Sequence, residues 1–502
     1  MDGLLSAFES LFSIRPFCLM MLGTALGITV GAVPGLTGAM LIAVTLPLTF
    51  AMGGSDAMVL LVSMYVGSIS GGLITATLLR IPGTPASIMT TLDGYPMAQQ
   101  GRPGRALGLG ICASFVGGLI SWIFLVLLSQ PIAFFSVEML GGYEYFSLIL
   151  MAMVLMASVS GRSFTKGMFS GFLGILLAMP GVSPSTGEVR LTFGFIELSA
   201  GFSLLPVLIG MFAVNQIIRD IIEIDREGTA VRMSRRGMLM SLADWKRQAV
   251  NLIRSSLIGT WVGILPGIGA NIGSAMAYSA AKNFSAHPEK FGHGAEEGVV
   301  SSEAANNATI GGALIPLIAL GIPGSVIDAI LLGALVIHGL QPGPLLFEHN
   351  PQIVYTIMAT FFVANCFMFL FMVAGVGQLA RLVDVPRNYL IPIILVFCVV
   401  GSYALSNRMF DVWVMLAFGL VGFAMEKGRI PLAPFVIGFV LESQAEYNLA
   451  KGLMTHGGRL PSIADGEWLP YVFFSIAIVL LVWPLWKRWR SRNASAGAGT
   501  AV

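Results

Sequence analysis

Two stretches of this chain carry the same unusual pattern, an apolar segment laddered with glycine and then broken by Pro-Gly. The first has Gly23, Gly27 and Gly31 ahead of Pro34-Gly35-Leu36-Thr37-Gly38; the second has Gly259 and Gly263 ahead of Pro266-Gly267-Ile268-Gly269-Ala270-Asn271. The two prolines are offset by 266 − 34 = 232 residues. A second signature follows each break, Ile81-Pro82-Gly83-Thr84 and Ile322-Pro323-Gly324-Ser325, offset by 323 − 82 = 241, and a polar insert around His287 to Gly294 absorbs the difference. Proline removes a backbone donor and glycine admits irregular dihedrals, so a helix stops at each break and its freed polar groups need partners. Matched Gly/Pro interruptions in two halves of an apolar chain point to the substrate site of a secondary transporter.

Composition places the chain in a bilayer. It is 56% hydrophobic and 11% charged with a mean hydropathy of +0.83, against about 25% charged for soluble domains. Its 60 glycines and 27 methionines suit closely packed membrane helices. A net charge of +2 argues nothing about nucleic acid, no basic stripe interleaved with aromatics is present, and no nucleic-acid partner is expected. Cys18, Cys112, Cys366 and Cys398 each stand alone in apolar stretches and read as packing residues. The first fifteen residues carry Asp2 and Glu9 and no basic n-region, so the first apolar span is expected to insert uncleaved. The histidines form no HExxH or Cys/His metal pattern, and His287, His293 and His338 read as loop or interface residues. No Walker A lysine is present, and Gly27 to Gly31 lies in an apolar ladder, with no dinucleotide implication. No cofactor is expected, and ion-gradient coupling is favoured over ATP hydrolysis.

At helix-spanning lengths of about 20 apolar residues, residues 16–51 form two short pieces around Pro34 and 57–79 form a full span. The stretch 84–100 is too short and polar to cross. Further spans are expected at 106–130, 144–160, 165–181 and 199–218. Residues 219–248 hold seven Lys/Arg and five Asp/Glu and read as a linker. The order then repeats: 249–283 broken at Pro266, 302–320, a short piece at 324–340, and spans at 352–376, 388–404, 411–425, 430–447 and 468–486. The expected organisation is an N-terminal membrane repeat (1–218), a cytoplasmic linker (219–248), a C-terminal membrane repeat (249–486) and a disordered cytoplasmic tail (487–502).

Lys and Arg near span ends favour the cytoplasmic side. The linker, the tail and the loops with Arg102/Arg105, Arg162/Lys166, Arg381/Arg387 and Lys427/Arg429 are placed inside. The loops with Glu138 and Glu188, and Gln341 to Pro351, which lacks Lys and Arg, fall outside. The repeats then end on opposite faces, with the N-terminus outside. The fold class expected is an all-α integral membrane protein, a polytopic helical bundle with two inverted-topology repeats, broken helices and re-entrant hairpins. The parity holds whether 411–425 and 430–447 both cross or together form a re-entrant hairpin.

Chemistry is expected where the apolar pattern fails. In Ser301-Ser302-Glu303-Ala304-Ala305-Asn306-Asn307-Ala308-Thr309 a polar run enters an apolar span. Ser301 and Ser302 read as an N-terminal turn with a capping serine, whereas Asn306, Asn307 and Thr309 read as coupling residues, because amide oxygens complete the coordination of an alkali cation. Glu303 is either a cytoplasm-facing surface acid or an ion or proton ligand. Asp328 is either an ion ligand or a snorkelling end charge. Half-helices starting after Pro34-Gly35 and Pro266-Gly267 aim N-terminal amides at an anion, with Thr37, Asn271 and Ser274 adding side-chain contacts and Thr84 and Ser325 at paired hairpin tips.

At these residues the sequence resembles the large membrane subunit of the tripartite tricarboxylate transporters. The matching segments are Gly27 to Ala39, Thr91 to Gly101, and His287 through Glu303-Ala304-Ala305-Asn306-Asn307-Ala308 to Gly321-Ile322-Pro323-Gly324-Ser325 and His338 to Pro344. The chain departs from the usual pattern at Ser301-Ser302, where Gly-Pro is commoner, and at Gly269 to Asn271, where the common form lacks the Asn. The resemblance implies a bacterial inner-membrane importer of carboxylates that works with a small membrane subunit and a periplasmic substrate-binding protein. The function expected is uptake of a small di- or tricarboxylate driven by a sodium or proton gradient. The alternatives are a membrane-embedded enzyme or flippase acting on a lipid-linked substrate, disfavoured because no convergent acid/base or metal set is readable, and an assembly subunit without a pathway, disfavoured by the duplicated breaks.

Overall fold

The computed structural model describes residues 2–33, 35–159, 163–222, 237–238, 240–382, 387–462 and 467–482. In chain order the helices are α1 (Asp2–Leu11), α2 (Ile14–Gly31), α3 (Gly38–Thr45), α4 (Gly54–Leu78), α5 (Ile88–Gln99), α6 (Pro103–Met139), α7 (Gly142–Val159), α8 (Phe164–Ala178), α9 (Leu204–Ile209) and α10 (Asn215–Ile222). They continue with α11 (Leu242–Ile264), α12 (Gly269–Phe284), α13 (Glu296–Leu320), α14 (Val326–Ile337), α15 (Pro344–His349), α16 (Pro351–Leu382), α17 (Arg387–Ser406), α18 (Met409–Lys427), α19 (Leu432–Thr455) and α20 (Leu469–Val482). Six helical stretches among the described residues are long and apolar enough to cross a membrane: Ile14–Gly31, Gly54–Leu78, Pro103–Met139, Leu204–Ile222, Pro351–Ala380 and Met409–Lys427. The fourth runs through α9 and α10 across a π-helical turn at Gly210–Val214. The chain is thus a polytopic, almost wholly helical membrane protein. A two-residue antiparallel ladder, Gly181–Val182 with Val189–Arg190, is the exception that helical periodicity did not announce.

Several boundaries differ from the hydropathy reading. α13 begins at Glu296, six residues before the expected span, and α6 runs to Met139. α10 extends to Ile222 and α11 starts at Leu242, so helix occupies both ends of the expected 219–248 linker. Most of that linker's interior, together with Pro34, Arg162 and the tail 487–502, lies outside the described residues.

Contacts divide the chain into two compact units, one of Met1–Ser136 with Leu204–Phe423 and one of Val137–Ser203 with Ala424–Val502. Each unit draws on both halves of the sequence. The core of the first is a pair of glycine seams, α2 on α4 and α11 on α13. A Cβ on Gly27 would lie 2.5 Å from the Met64 carbonyl oxygen, and one on Gly259 2.4 Å from that of Ala305. The next turn repeats the match, Gly31 against Ser68 O and Gly263 against Thr309 O. Helix backbones meet this closely only where side chains are absent. The glycines keep the 232 offset and their partners keep the 241 offset (305 − 64 and 309 − 68), so the duplication in sequence is a duplication of contacts. The tips dock in the same manner: a Cβ on Gly83 would meet Gly31 O at 2.4 Å, and one on Gly324 would meet Gly263 O at 3.0 Å.

In the second unit α19 packs against α7 and α8 through small residues, with Gly174 against Phe435 O and Gly438 against Gly171 O. Arg190, on the short ladder, pairs with Glu446 and, at 3.1 Å, with Glu442, while Ser185 donates to Glu446 at 2.9 Å.

Candidate functional site

At the two breaks the backbone behaves as the Pro-Gly sequence dictates. Gly35 has φ +92° and Gly267 φ +74°, conformations that a Cβ disfavours. The freed groups find partners inside the protein. The Gly267 N–H donates to Gly324 O at 2.9 Å, tying the second break to the second tip. Thr37 caps α3 by accepting the Met40 N–H at 3.2 Å. The neighbour facing Gly35 is the carboxylate of Asp220, whose Oδ1 would lie 2.8 Å from an added Cβ. Two of the groups expected to hold an anion are therefore engaged locally. The four residues of the second break also separate: Pro266 is half-buried, Asn271 is exposed, Gly267 is buried, and Ser274 is buried with its Oγ donating to Ser302 O at 3.1 Å.

The tips are capped turns. Thr84 opens the 3₁₀ turn Pro85–Ser87, its N–H donating to Ser87 Oγ at 3.1 Å while Ser87 Oγ donates to Thr84 O at 2.8 Å. Ser325 caps α14 by accepting the Asp328 N–H at 3.4 Å, and its Oγ lies 3.3 Å from the Tyr65 hydroxyl.

The expectation that Ser301 or Ser302 caps a helix is corrected. Both are fully buried within α13, and their hydroxyls bond back to Gly298 O. The helix starts earlier because Asp93 on α5 anchors the preceding turn: its Oδ1 accepts the N–H groups of Gly292, Gly294 and Ala295 at 2.9, 2.9 and 2.8 Å, and its Oδ2 accepts the Tyr278 hydroxyl at 2.8 Å. The extra residues of the second half thus dock onto the first.

With α13 so placed, Glu303 is 0% exposed, which removes the surface-acid reading. Its Oε1 accepts from Thr90 Oγ1 at 2.5 Å and its Oε2 from Ser114 Oγ at 3.2 Å. Thr90 also lies 3.0 Å from Ser302 Oγ. One turn on, the buried amide of Asn306 lies near Glu303 without closing a hydrogen bond of ordinary geometry. Asn307 is held on both sides, its Oδ1 accepting from Ser70 Oγ at 2.7 Å and its Nδ2 donating to Glu303 O at 3.3 Å. Thr309 bonds back to Asn306 O at 2.6 Å. Asp328 is likewise 0% exposed, so it does not snorkel; neither of its oxygens closes an ordinary hydrogen bond, and Tyr65 and Ser325 stand beside it.

An ion-pair cluster fixes the helix ends nearby. Arg105 forms a fork to Asp244 at 2.8 and 2.6 Å and bonds Glu296 at 3.1 and 2.9 Å, with Arg247 joining Glu296 at 2.6 Å. The Arg105 guanidinium, helped by the Ser241 cap, holds the Asp244 carboxyl well below its usual range.

Thr90, Ser114, Ser70, Tyr65, Asp93 and Asp220 escaped the sequence reading. A signal existed for the helical hydroxyls, which are polar groups within apolar spans, but Ser70 also donates to Val66 O at 3.2 Å, the self-satisfying bond that makes such residues unremarkable in sequence. Taken together the Glu303 centre is a buried set of oxygens, with no Lys, Arg or His among its hydrogen-bond partners in the described residues. Such a set suits a hard cation or a proton in preference to an anion.

Comparison with known proteins follows the same lines. The profile of the tripartite tricarboxylate transporter TctA family matches residues 17–437. The chain is similar to an Agrobacterium vitis protein described as an uncharacterized 52.8 kDa protein in the TAR-I ttuC′ 3′ region, with 34% identity over 460 residues covering 91% of this chain and 89% of that one. It is also similar to an Agrobacterium vitis protein described as lying in the TAR-II ttuC′ 3′ region, 34% identical over 200 residues, covering 40% of this chain and 83% of the relative. No solved structure matches the chain.

Proposed function

From the premise that this chain belongs to the tripartite tricarboxylate transporter TctA family, we propose that it imports a small organic di- or tricarboxylate, citrate-like in its chemistry, across the bacterial inner membrane. It acts as the large permease of a tripartite system, receiving substrate from a periplasmic binding protein and assembling with a small membrane subunit. Transport is secondary and alternates access through two inverted-topology repeats, coupled to a sodium or proton gradient. The observation that carries this reading is the buried oxygen centre at Glu303, built where α13 meets the helix that follows the first tip. An ionised carboxylate inside a membrane protein without a basic partner is costly, and residues kept at that cost mark ion or proton pathways. Glu303, Asn306, Asn307, Thr309 and Asp328 form the coupling set. Substrate contacts are assigned to the breaks and tips, at Pro34, Gly35, Thr37, Thr84, Pro266, Gly267, Asn271, Ser274 and Ser325, which requires Thr37, Gly267 and Ser274 to exchange the internal hydrogen bonds they make here and leaves Ser325 between substrate and Asp328.

The test is uptake of radiolabelled di- and tricarboxylates by cells expressing the permease with both partner subunits, under imposed sodium or proton gradients. Accumulation should collapse when the coupling gradient is removed, and Glu303→Gln should abolish accumulation with the protein still inserted. Accumulation that survives loss of both gradients would overturn the reading.

A further inference from the structure

Two carboxylates, Glu303 and Asp328, are buried at 0% exposure in the first compact unit, and they do not share a hydrogen-bonding partner. Glu303 faces Thr90 on α5 and Ser114 on α6; Asp328 faces Tyr65 on α4 and Ser325 at its own helix cap. Neither is acted on by a Lys, Arg or His among the described residues. Of the elements packed on α14, α3 and α9 carry no titratable residue, α4 presents Tyr65, and the Glu303 side chain of α13 is turned to Thr90 and Ser114.

In the duplicated frame both acids are particular to the second half. Stepping back by the 241 offset takes Ser325 to Thr84, Asn306 to Tyr65, Asp328 to Ser87 and Glu303 to Val62. Ser325 and Asn306 have polar counterparts in the first half, whereas each carboxylate stands where that half has a neutral residue. An ionised carboxylate in a buried site without a basic partner must be neutralised by a bound cation or a proton. Asp328 fits this need most sharply, because its two oxygens lie in protein interior with no hydrogen bond of ordinary geometry closed to either.

We propose that the permease holds two separate monovalent-cation sites, one at Glu303 with Thr90, Ser114 and Asn306 and one at Asp328 with Tyr65 and Ser325, so that two positive charges enter with each carboxylate substrate. The inference rests on the ion-coupled reading above and adds its stoichiometry. Each site takes one Na⁺ or one H⁺, and the geometry of oxygens without a basic side chain serves either.

The test needs neither substrate nor partner subunits. The full-length permease in detergent is titrated with NaCl against choline chloride at constant ionic strength, and separately with acid in sodium-free buffer, with thermal unfolding as the readout. A ligand that binds only the folded state stabilises it in proportion to the logarithm of its concentration, once per site near saturation. If sodium is the ion, wild-type protein should show twice the limiting slope of Asp328→Asn and of Glu303→Gln in the NaCl arm; if it is the proton, each variant should lose one site's share of the wild-type pH dependence above the unfolded carboxylate range, where the other titrating groups contribute alike to all three proteins. Equal slopes for wild type and Asp328→Asn overturn the second site, and wild type, Asp328→Asn and Glu303→Gln responding alike to both NaCl and acid overturn both. Tyr65→Phe, which keeps the carboxylate, should retain the two-site slope with the midpoint moved about tenfold to higher cation, the scale of one lost hydrogen bond to a charged group; an unmoved midpoint removes Tyr65 from the site. Two-site cation binding without any carboxylate uptake would sink the transport reading and the stoichiometry with it, and leave the two cation sites standing.

Discussion

Thr90 Oγ1 donates to Glu303 Oε1 at 2.5 Å, across 213 positions of sequence. The bond joins the helix that follows the first tip to the helix that follows the polar insert, so a displacement of that tip is felt at the buried acid. Among the contacts to Glu303 it is the shorter of the two hydroxyl bonds, Ser114 lying at 3.2 Å.

Thr90→Ala should therefore weaken ion dependence while Thr90→Ser preserves it. A hydrogen bond to a charged group contributes about 1.5 to 3 kcal/mol, which corresponds to a roughly ten- to hundredfold rise in the half-saturating ion concentration for uptake. Equal ion dependence in wild type and Thr90→Ala would show that the contact is only packing.

Asn306 and Asn307 should separate coupling from stability. Asn307 is bonded at both ends, so Asn307→Ala leaves Ser70 without this acceptor and should lower folding stability by about 1 to 3 kcal/mol. Asn306 closes no ordinary bond in the folded chain, so Asn306→Ala should unfold at nearly the wild-type temperature and still lose ion-dependent uptake. Thermal unfolding in detergent and uptake in cells, measured on both variants, check the two halves of the statement.

The glycine seams should be intolerant of a single methyl group. Gly27→Ala and Gly259→Ala each drive a Cβ against a backbone carbonyl, which can yield only by moving a helix, and overpacking of this kind costs about 1 to 3 kcal/mol. Gly375→Ala, inside α16, where the added carbon meets only Leu379 at 3.7 Å or more, should not destabilise by more than about 0.5 kcal/mol. Thermal unfolding of the three variants decides whether close approach of the backbones is the reason for the ladder.

The inverted arrangement proposed for the repeats would require Arg102 and Gln341 to face opposite compartments, the first cytoplasmic and the second periplasmic. Both are exposed, so single cysteines there, in a background lacking the four native ones, are accessible to reagent. An impermeant thiol reagent applied to intact spheroplasts should label only the residue-341 cysteine. Labelling of both from one side would make the repeat parallel.

In the second unit His456 and Glu467 form a hydrogen-bonded pair that is an ion pair when the imidazole is protonated. Acceptance of the imidazolium's hydrogens by Gly452 O and by Glu467 raises the His456 pKa, and His456 lowers that of Glu467. The raised histidine stabilises fully below its unfolded value of about 6.5 and loses that contribution as pH climbs through its folded value; the depressed glutamate stabilises above about 4.3 and loses its share as pH falls. The difference in unfolding temperature between wild type and His456→Gln should thus be greatest in mildly acidic buffer and shrink on the alkaline side. A difference that does not vary with pH would mean that the ring contributes only by packing.

What the sequence determined by itself was local covalent chemistry and its repetition. Proline has no N–H and glycine alone sits easily at φ +92° or +74°, so the breaks between Gly31 and Gly38 and between Ile264 and Gly269, and the tips at Gly83 and Gly324, were legible without coordinates. The bilayer habitat followed from apolar content, and the duplication from the 232 and 241 offsets. The oxygen centres were legible only in half: Glu303, Asn306, Asn307 and Asp328 stood out as polar groups in apolar spans, while Thr90, Ser114, Ser70 and Tyr65 did not. A hydroxyl on a helix can satisfy itself on the carbonyl three or four residues back, so its type says nothing about whether it also reaches another helix. Burial was equally beyond reach. Whether Glu303 met water or protein depended on where α13 began, and that was decided by Asp93, distant in sequence, accepting three amides of the turn before it. Tertiary structure settles such questions because a buried carboxylate takes its partners from whichever helices packing brings beside it, and those lie hundreds of residues away.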